Sequence, residues 1–158
     1  MFGLVTGRDY LFRVLAYNFN GEGNWSDYVK YYSCLPPSVA AAPTRITSTT
    51  TSLSIAWTAP ADDGGCDITS FAVFSDDGLG GASTEVNQPN DPLVRNRPGL
   101  YNLVITSPFS ATGQDAGKSY KVYVVSYNID GQKQSDTALI TLGKQPDAPP
   151  SPPRKNQS

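Results

Sequence analysis

Short runs of alternating apolar and polar residues, separated by turn sequences, make up most of the chain. In the run SLSIAW, Leu53, Ile55 and Trp57 alternate with small residues, which is the period-2 pattern of a strand with one apolar face. Pro60 and the turn sequence DDGG follow this run and end it. No segment combines helical periodicity with capping residues, so the sequence predicts an all-β chain. The other strand-like runs are Asp67–Ser75, Ser83–Val86, Leu100–Thr106, Ser119–Asn128 and Asp136–Leu142.

An internal repeat predicts how the chain is divided. The segments Gly7–Gly21 (GRDYLFRVLAYNFNG) and Gly117–Gly131 (GKSYKVYVVSYNIDG) share Gly, Tyr, Val, Tyr, Asn and Gly at a constant offset of 110 residues. Each copy is followed by a Ser-Asp pair, a strand-like run and a proline-bearing exit. The sequence therefore predicts the C-terminal strands of a truncated domain over 1–36, a linker over 37–42, a complete domain over 43–145 and a proline-rich tail or linker over 146–158.

Composition and charge narrow the range of partners. The 158 residues leave room for about one to one and a half ordinary domains. The formal net charge is −2 and no basic cluster occurs, which argues against nucleic acid as a partner. No apolar run approaches the roughly 20 residues that span a bilayer, so we expect no membrane insertion in this segment. The expected partners are other protein domains or copies of the chain itself.

The side chains do not suggest catalysis. The chain has no histidine, which removes the commonest general base and the Ser/His and Cys/His nucleophile pairs. Its two cysteines are too few for a four-thiolate zinc site, and it has no phosphate-binding glycine loop. Asp62-Asp63 and Asp76-Asp77 could bind calcium, but adjacent aspartates before glycine more often form a turn. The sequence therefore predicts no enzyme activity, catalytic residue, metal site or cofactor.

Three stretches together resemble the fibronectin type III family. They are the SLSIAWTAP strand, the GGCDITSFAVF strand and the motif Y-x-[FV]-x-V-x-[AS]-Y-N-x-x-G, which occurs twice. The resemblance implies an immunoglobulin-like seven-stranded sandwich of two sheets, preceded by a partial sandwich, with Trp57, Tyr10 and Tyr120 as core anchors. It also implies a corner contact between Leu4 and Tyr10, whereas Gln114 stands at the matching position before Tyr120. The implied strands lie near 43–47, 53–58, 68–75, 82–86, 100–106, 119–127 and 136–142, with a long loop at 87–99.

The same resemblance brings the two cysteines into one region. In this family the chain enters a sandwich at the same end as the loop that joins the second and third strands. Cys34 lies in the entering linker and Cys66 in that loop, so the two side chains are expected to be close. A disulfide would stiffen the linker and indicate an oxidising compartment. Two unpaired thiols remain the alternative, because two cysteines alone give no disulfide framework.

The resemblance also predicts an apolar surface on the outside of the sandwich. If Tyr120 and Val122 point into the core, alternation sends Tyr123 and the residues two and four positions after it to the outer face. One interpretation is scattered apolar residues shielded by neighbouring polar side chains, and the other is a packing face between domains or between chains. The residues of the predicted interaction face are Phe74, Tyr123, Val125 and Tyr127, with Leu15 and Tyr17 as their counterparts in the first copy.

Three functions fit this fold, which does not by itself choose among them. The first is a structural or adhesive repeat of a larger extracellular or surface protein, with a role in a filamentous assembly. The second is a scaffold module of an intracellular cytoskeletal or ciliary assembly, and the third is a ligand-binding receptor module. A glycan at Asn24, which begins the sequon NWS in a predicted loop, would favour the first function.

Overall fold

The computed structural model describes residues 3–86, 94, 97–106 and 108–144. Within this part of the chain, apart from the helical residue Val94, the regular elements are β-strands and the turns between them, as the alternating pattern predicted. The strands are β1 Arg8–Phe12, β2 Leu15–Asn18, β3 Gly21–Trp25, β4 Val29–Ser33, β5 Thr44–Ser48, β6 Leu53–Ala56, β7 Ser70–Ser75, β8 Thr84–Glu85, β9 Asn102–Ile105, β10 Ser119–Tyr127, β11 Gln132–Gln134 and β12 Ala138–Thr141.

Strands β5 to β12 form a sandwich of two antiparallel sheets. One sheet has the order β5-β6-β9, and the other has the order β11-β10-β7-β8. The nine-residue β10 is the longest strand; it pairs with β7 along one edge and with β11 and then β12 along the other. The predicted all-β, immunoglobulin-like sandwich is therefore confirmed.

The core lies between the two sheets and takes every second residue of their strands. Trp57 packs edge-on against Phe71, with ring centroids 5.9 Å apart, and Tyr120 packs edge-on against Phe109 at 4.8 Å. Burial raises the pKa of Tyr120. Trp57 and Tyr120 are thus buried in the core, the position that the resemblance implies for them. The fully buried aliphatic residues around them are Leu53, Ile55, Val73, Val94, Val122, Val124 and Leu142.

The strand predicted over 136–142 corresponds to β12, and the structure adds a short strand, β11, before it, with a break between the two. The break falls at Ser135. The Val124 N–H donates to the Ser135 hydroxyl at 3.0 Å, and the Ser135 N–H donates to the Val124 carbonyl at 2.8 Å. The serine side chain thus takes a place in the hydrogen-bond ladder that a backbone carbonyl would otherwise hold, and the strand is interrupted there.

The segment predicted as a linker, 37–42, packs against the sandwich. Pro37, Ala40 and Pro43 are buried, and the Asp136 N–H donates to the Ala40 carbonyl at 3.0 Å. Within the predicted loop at 87–99, the structure describes Val94 and residues 97–99, and it buries Val94 in the core. The predicted tail, 146–158, lies outside the described residues.

Residues 3–33, which we call the hairpin unit, form a ribbon of two interrupted strands in which β1 pairs with β4 and β2 pairs with β3. The interruption repeats the one at Ser135. The Val14 N–H donates to the Ser26 hydroxyl at 2.9 Å, and the Ser26 N–H donates to the Val14 carbonyl at 2.9 Å. The internal repeat therefore extends to side-chain hydrogen bonding, although the described residues place no second sheet against this ribbon.

Candidate interaction surfaces

A disulfide joins the hairpin unit to the sandwich. Cys34 directly follows β4, Cys66 lies in the loop between β6 and β7, and their Cα atoms are 5.7 Å apart. The described residues contain no free cysteine. The structure therefore brings together the two residues that the family resemblance placed close to each other. We use the name joint for residues 34–38 together with the loop 62–66 and the turn 128–131.

Glycines let the backbones approach closely at the joint. Gly64 and Gly65 both have positive φ, at 78° and 79°. A Cβ on Gly64 would overlap the Leu35 carbonyl, and a Cβ on Gly65 would lie 2.7 Å from the Gly7 nitrogen. Because the joint has no room for these side chains, the turn that the sequence DDGG predicted also serves as a contact surface for the hairpin unit.

The side chain of Asn128 connects three segments of the joint. Its amide nitrogen donates to the carbonyl oxygens of Leu35 and Asp63, each at 2.7 Å. Its own carbonyl oxygen accepts from the N–H groups of Asp130 and Gly131, at 3.0 and 2.9 Å. Asn128 is only 8% exposed. A single buried amide therefore uses both its donor and its acceptor groups across the linker, the loop and the turn.

One side of the hairpin unit carries an exposed apolar surface. Tyr10 faces Tyr31 and Phe12 faces Val29 across β1 and β4, so the four side chains share one face. We call this set the hairpin face. Tyr31 is 60% exposed, and its ring lies 5.8 Å from that of Phe12. The surface is large for an ordinary solvent-facing sheet, which normally carries polar residues.

Tyr10 is less buried than the core-anchor role implied by the family resemblance would require. Its hydroxyl accepts a hydrogen bond from the Val5 N–H at 2.6 Å, which is a local corner contact next to Leu4. However, Tyr10 is only half-buried, whereas Tyr120 at the matching position is 1% exposed. The difference arises because the described residues place no opposing sheet against the hairpin unit.

The predicted interaction face on the sandwich is smaller than expected. The rings of Phe74 and Tyr123 stack almost parallel, with centroids 5.2 Å apart and an interplanar angle of 7°. Phe74, Tyr123 and Tyr127 are half-buried, and we call these three residues the outer face. Val125 was predicted to belong to this face, but the structure buries it, with only 7% of it exposed. It lies opposite Ala72, between the Tyr123–Phe74 row and the row of Tyr127, and so adds little accessible surface.

The counterparts in the hairpin unit lie on β2. Tyr17 is 77% exposed and Leu15 is half-buried opposite Trp25. The Arg13 guanidinium lies between the rings of Trp25 and Tyr28, 4.0 and 4.9 Å from their centroids. Leu15 and Tyr17 belong to the hairpin unit, whereas the outer face belongs to the sandwich.

Asn24 lies in strand β3, which corrects its predicted loop position. The reason is that the second half of the ribbon pairs back on β2 as far as Trp25. The Asn24 side chain is exposed. The strand position therefore leaves it accessible from solvent.

The paired aspartates act as turn caps. Asp62 and Asp63 accept the N–H groups of Gly64 and Gly65, at 2.9 and 2.8 Å. Asp77 accepts N–H groups from the turn that follows it, and these bonds lower its pKa. Among the described residues, no group of three or more Asp, Glu, His or Cys side chains is arranged to hold a metal ion. In the same part of the chain, no helix is long and apolar enough to cross a membrane.

Solved structures share this fold, although no family model matches the sequence. Domains A168-A170 from titin superpose with a TM-score of 0.65 at 19% identity, covering 90% of this chain and 44% of that one. Domains FN1-FN3 of chicken CNTN1 give a TM-score of 0.55 at 17% identity, covering 89% and 46%. The twitchin kinase region from C. elegans gives 0.55 at 18% identity, covering 73% and 18%. This chain thus spans less than half of each of these structures.

These likenesses and the sheet order define an immunoglobulin-like β-sandwich. Within that class, the fold is similar to that of fibronectin type III domains. Each of these three solved structures contains several domains.

Asn128 is the residue of the joint to which sequence reasoning assigned no role. In the sequence, Asn128 is part of the repeated YN-x-x-G motif, and its counterpart in the first copy is Asn18. An asparagine that precedes a glycine turn suggests local capping. Its partner Leu35 lies 93 residues away in the sequence, so the motif alone gives no sign of the contact with the linker.

Proposed function

We propose that the chain is a non-catalytic structural or adhesive interaction module of an extracellular or cell-surface protein built from repeated sandwiches. The observation that carries this proposal is the disulfide between Cys34 and Cys66, which links two successive units. Disulfides persist in oxidising compartments and are rare in the cytosol. The exposed sequon at Asn24 is compatible with the same compartment.

Under this proposal, residues 1–36 are the C-terminal strands of a sandwich that precedes the complete one. The support is the internal repeat, since β1 to β4 carry the same serine interruption as β10 to β12. In the complete sandwich, β10 lies against β7 at its edge and against the β5-β6-β9 sheet across the core. We propose that equivalent strands of the same protein cover the hairpin face.

The proposed contact with other domains or with copies of the chain is the outer face. Its stacked aromatic pair offers rigid apolar area, and the tyrosine hydroxyls can remain hydrated. The double variant Tyr123→Ser/Tyr127→Ser should weaken association with the native partners without unfolding the sandwich. Val104→Ser is the control, because Val104 is exposed on the other sheet. A folded double variant that associates as well as the parent protein would refute this assignment.

The compartment can be tested by mass measurement on protein from its native source. The sample is alkylated before and after reduction, and again after treatment with peptide N-glycosidase. We expect no alkylation without reductant, two alkylated cysteines after reduction, and a mass loss at Asn24 on deglycosylation. Two freely alkylated thiols with no glycan would contradict the proposal and favour the intracellular cytoskeletal or ciliary scaffold. Tight binding of a soluble ligand through the loops would instead favour a receptor module.

A further inference from the structure

We infer that the end of the sandwich at Asn128 is a docking site for the extended segment 34–38, and that Asn128 holds this segment in place independently of the disulfide. The inference concerns the joint alone and does not rest on the proposed compartment or on the parent protein. It assigns to Asn128 a positioning role between two units, which differs from the local turn capping that its sequence context suggests.

The hairpin unit and the residues that directly follow it contact one loop of the sandwich at three separate points. Gly7, immediately before β1, lies against Gly65, where a Cβ on Gly7 would be 3.4 Å from the Gly65 carbonyl oxygen. Cys34, immediately after β4, is bonded to Cys66. The Leu35 N–H donates to the Gly64 carbonyl at 2.9 Å. Both strand ends of the ribbon are thus fixed against the loop 62–66, and contacts at three points restrict rotation as well as separation.

The segment that follows Cys34 is bound as an extended peptide. The Ser38 N–H donates to the Asp62 carbonyl at 2.8 Å, and the Asp62 N–H donates to the Ser38 hydroxyl at 3.1 Å. Pro36 lies against Gly131, where a Cβ would meet its ring at 3.1 Å. The site therefore fits a proline-containing segment whose carbonyl groups can accept hydrogen bonds.

Asn128 supplies the donor for one of those carbonyl groups, that of Leu35. Its two amide hydrogens go to Leu35 and Asp63, so it binds the peptide and the loop at the same time. A carboxylate at this position could still cap the turn through Asp130 and Gly131. It would, however, face two carbonyl oxygens with no hydrogen to donate. Asn128→Asp therefore removes the docking contact and keeps the capping contact.

The internal repeat provides a matched control in the same chain. Asn18 occupies the equivalent position, is exposed, and accepts the Asn20 N–H at 2.9 Å. The described residues include no linker next to it, and the space above Gly21 is open. Asn18→Asp changes the same functional group in the same motif without touching the joint.

The experiment measures hydrogen exchange of the Leu35 amide by NMR in the full chain. Asn128→Asp and Asn18→Asp are each compared with the parent protein, with the disulfide intact and in the Cys34→Ser/Cys66→Ser background.

We expect the parent to keep most of its Leu35 protection without the disulfide. We expect Asn128→Asp without the disulfide to exchange at least about tenfold faster, because two hydrogen bonds are replaced by repulsion. Asn18→Asp should match the parent. Exchange at Val124 in the core reports whether each variant remains folded.

Two outcomes would overturn the inference. One is loss of Leu35 protection on removal of the disulfide alone. The other is equal protection of the Leu35 amide in the Asn128→Asp and Asn18→Asp variants without the disulfide.

If Asn128→Asp fails to fold, Gly64→Ala tests the same interface from the loop side, with Gly80→Ala as the control. Both glycines have positive φ, but only Gly64 lies against the Leu35 carbonyl. Equal Leu35 exchange in these two variants would likewise contradict a close docking contact.

Discussion

Trp57 shows how one side chain can stabilise the core while carrying an unfavourable contact. Its ring packs against Phe71 and is 5% exposed. Its indole N–H is buried without a hydrogen-bond partner among the described residues. An unpaired buried donor costs about 1–3 kcal/mol. The packing of the large ring must therefore outweigh that cost for a tryptophan to be favourable at this position.

This balance predicts a difference between two substitutions. Trp57→Ala should lower the free energy of unfolding by about 3–5 kcal/mol, because it leaves a large cavity. Trp57→Phe should lower it by less than about 2 kcal/mol, because the unpaired N–H is removed along with part of the ring. Urea denaturation followed by circular dichroism measures both. An equal loss for the two variants would contradict the larger cavity cost expected for Trp57→Ala.

At the level of elements, the two serine interruptions form the same hydrogen bonds in different surroundings. Ser135 is 5% exposed, whereas Ser26 is exposed. In each case the hydroxyl accepts a backbone N–H and donates to the carbonyl of the next residue, Asp136 or Asp27. The environment, and not the local geometry, should therefore decide how much each hydroxyl stabilises the protein.

Ser135→Ala should destabilise the sandwich by about 1–3 kcal/mol, because it leaves the buried Val124 N–H without its hydroxyl partner. Ser26→Ala should cost less than about 0.5 kcal/mol, because water can bind the exposed Val14 N–H in its place. Urea denaturation of both variants gives the comparison. A large effect of Ser26→Ala would indicate that this part of the hairpin unit is buried in solution.

The hairpin face can be compared with the core of the sandwich in a similar way. Phe12 stands at the position of Val122 in the internal repeat; Phe12 is exposed and Val122 is fully buried. Val122→Ala should cost roughly 1.5–3 kcal/mol of unfolding free energy. Phe12→Ala should cost less than about 1 kcal/mol in this chain, although phenylalanine is the larger residue. Similar losses would mean that Phe12 is covered by a contact outside the described residues.

The strands were predictable to the extent that local pattern determines them. Leu53, Ile55 and Trp57 alternate with small residues, and the structure buries these three on one face. The break at Ser135 was not predictable, because it depends on a hydrogen bond between the two adjacent strands. The same holds for Asn128, whose contact with Leu35 exists only once the two units have docked. The burial of Val125 depends on the rows of side chains on both sides of it.

At the scale of the whole molecule, the joint turns two units into one connected structure. The hairpin unit alone is a two-stranded ribbon, and such ribbons are marginally stable in water. Its contacts with the loop 62–66 and with Asn128 add a disulfide and several hydrogen bonds at one end. They do not cover the hairpin face, which remains exposed along β1 and β4. The ribbon should therefore owe its order to the joint and, under the proposed function, to a further sheet that covers that face.

This dependence predicts how the two parts behave when separated. A peptide of residues 3–38 should show no cooperative thermal unfolding by circular dichroism, because its apolar side chains have no second layer to pack against. A fragment of residues 39–144, which contains both sheets and the core, should unfold cooperatively and serves as the control. A cooperative transition of the peptide that is independent of concentration would establish the hairpin unit as a domain in its own right. A transition that rises with concentration would instead show that copies of the peptide cover one another's hairpin faces.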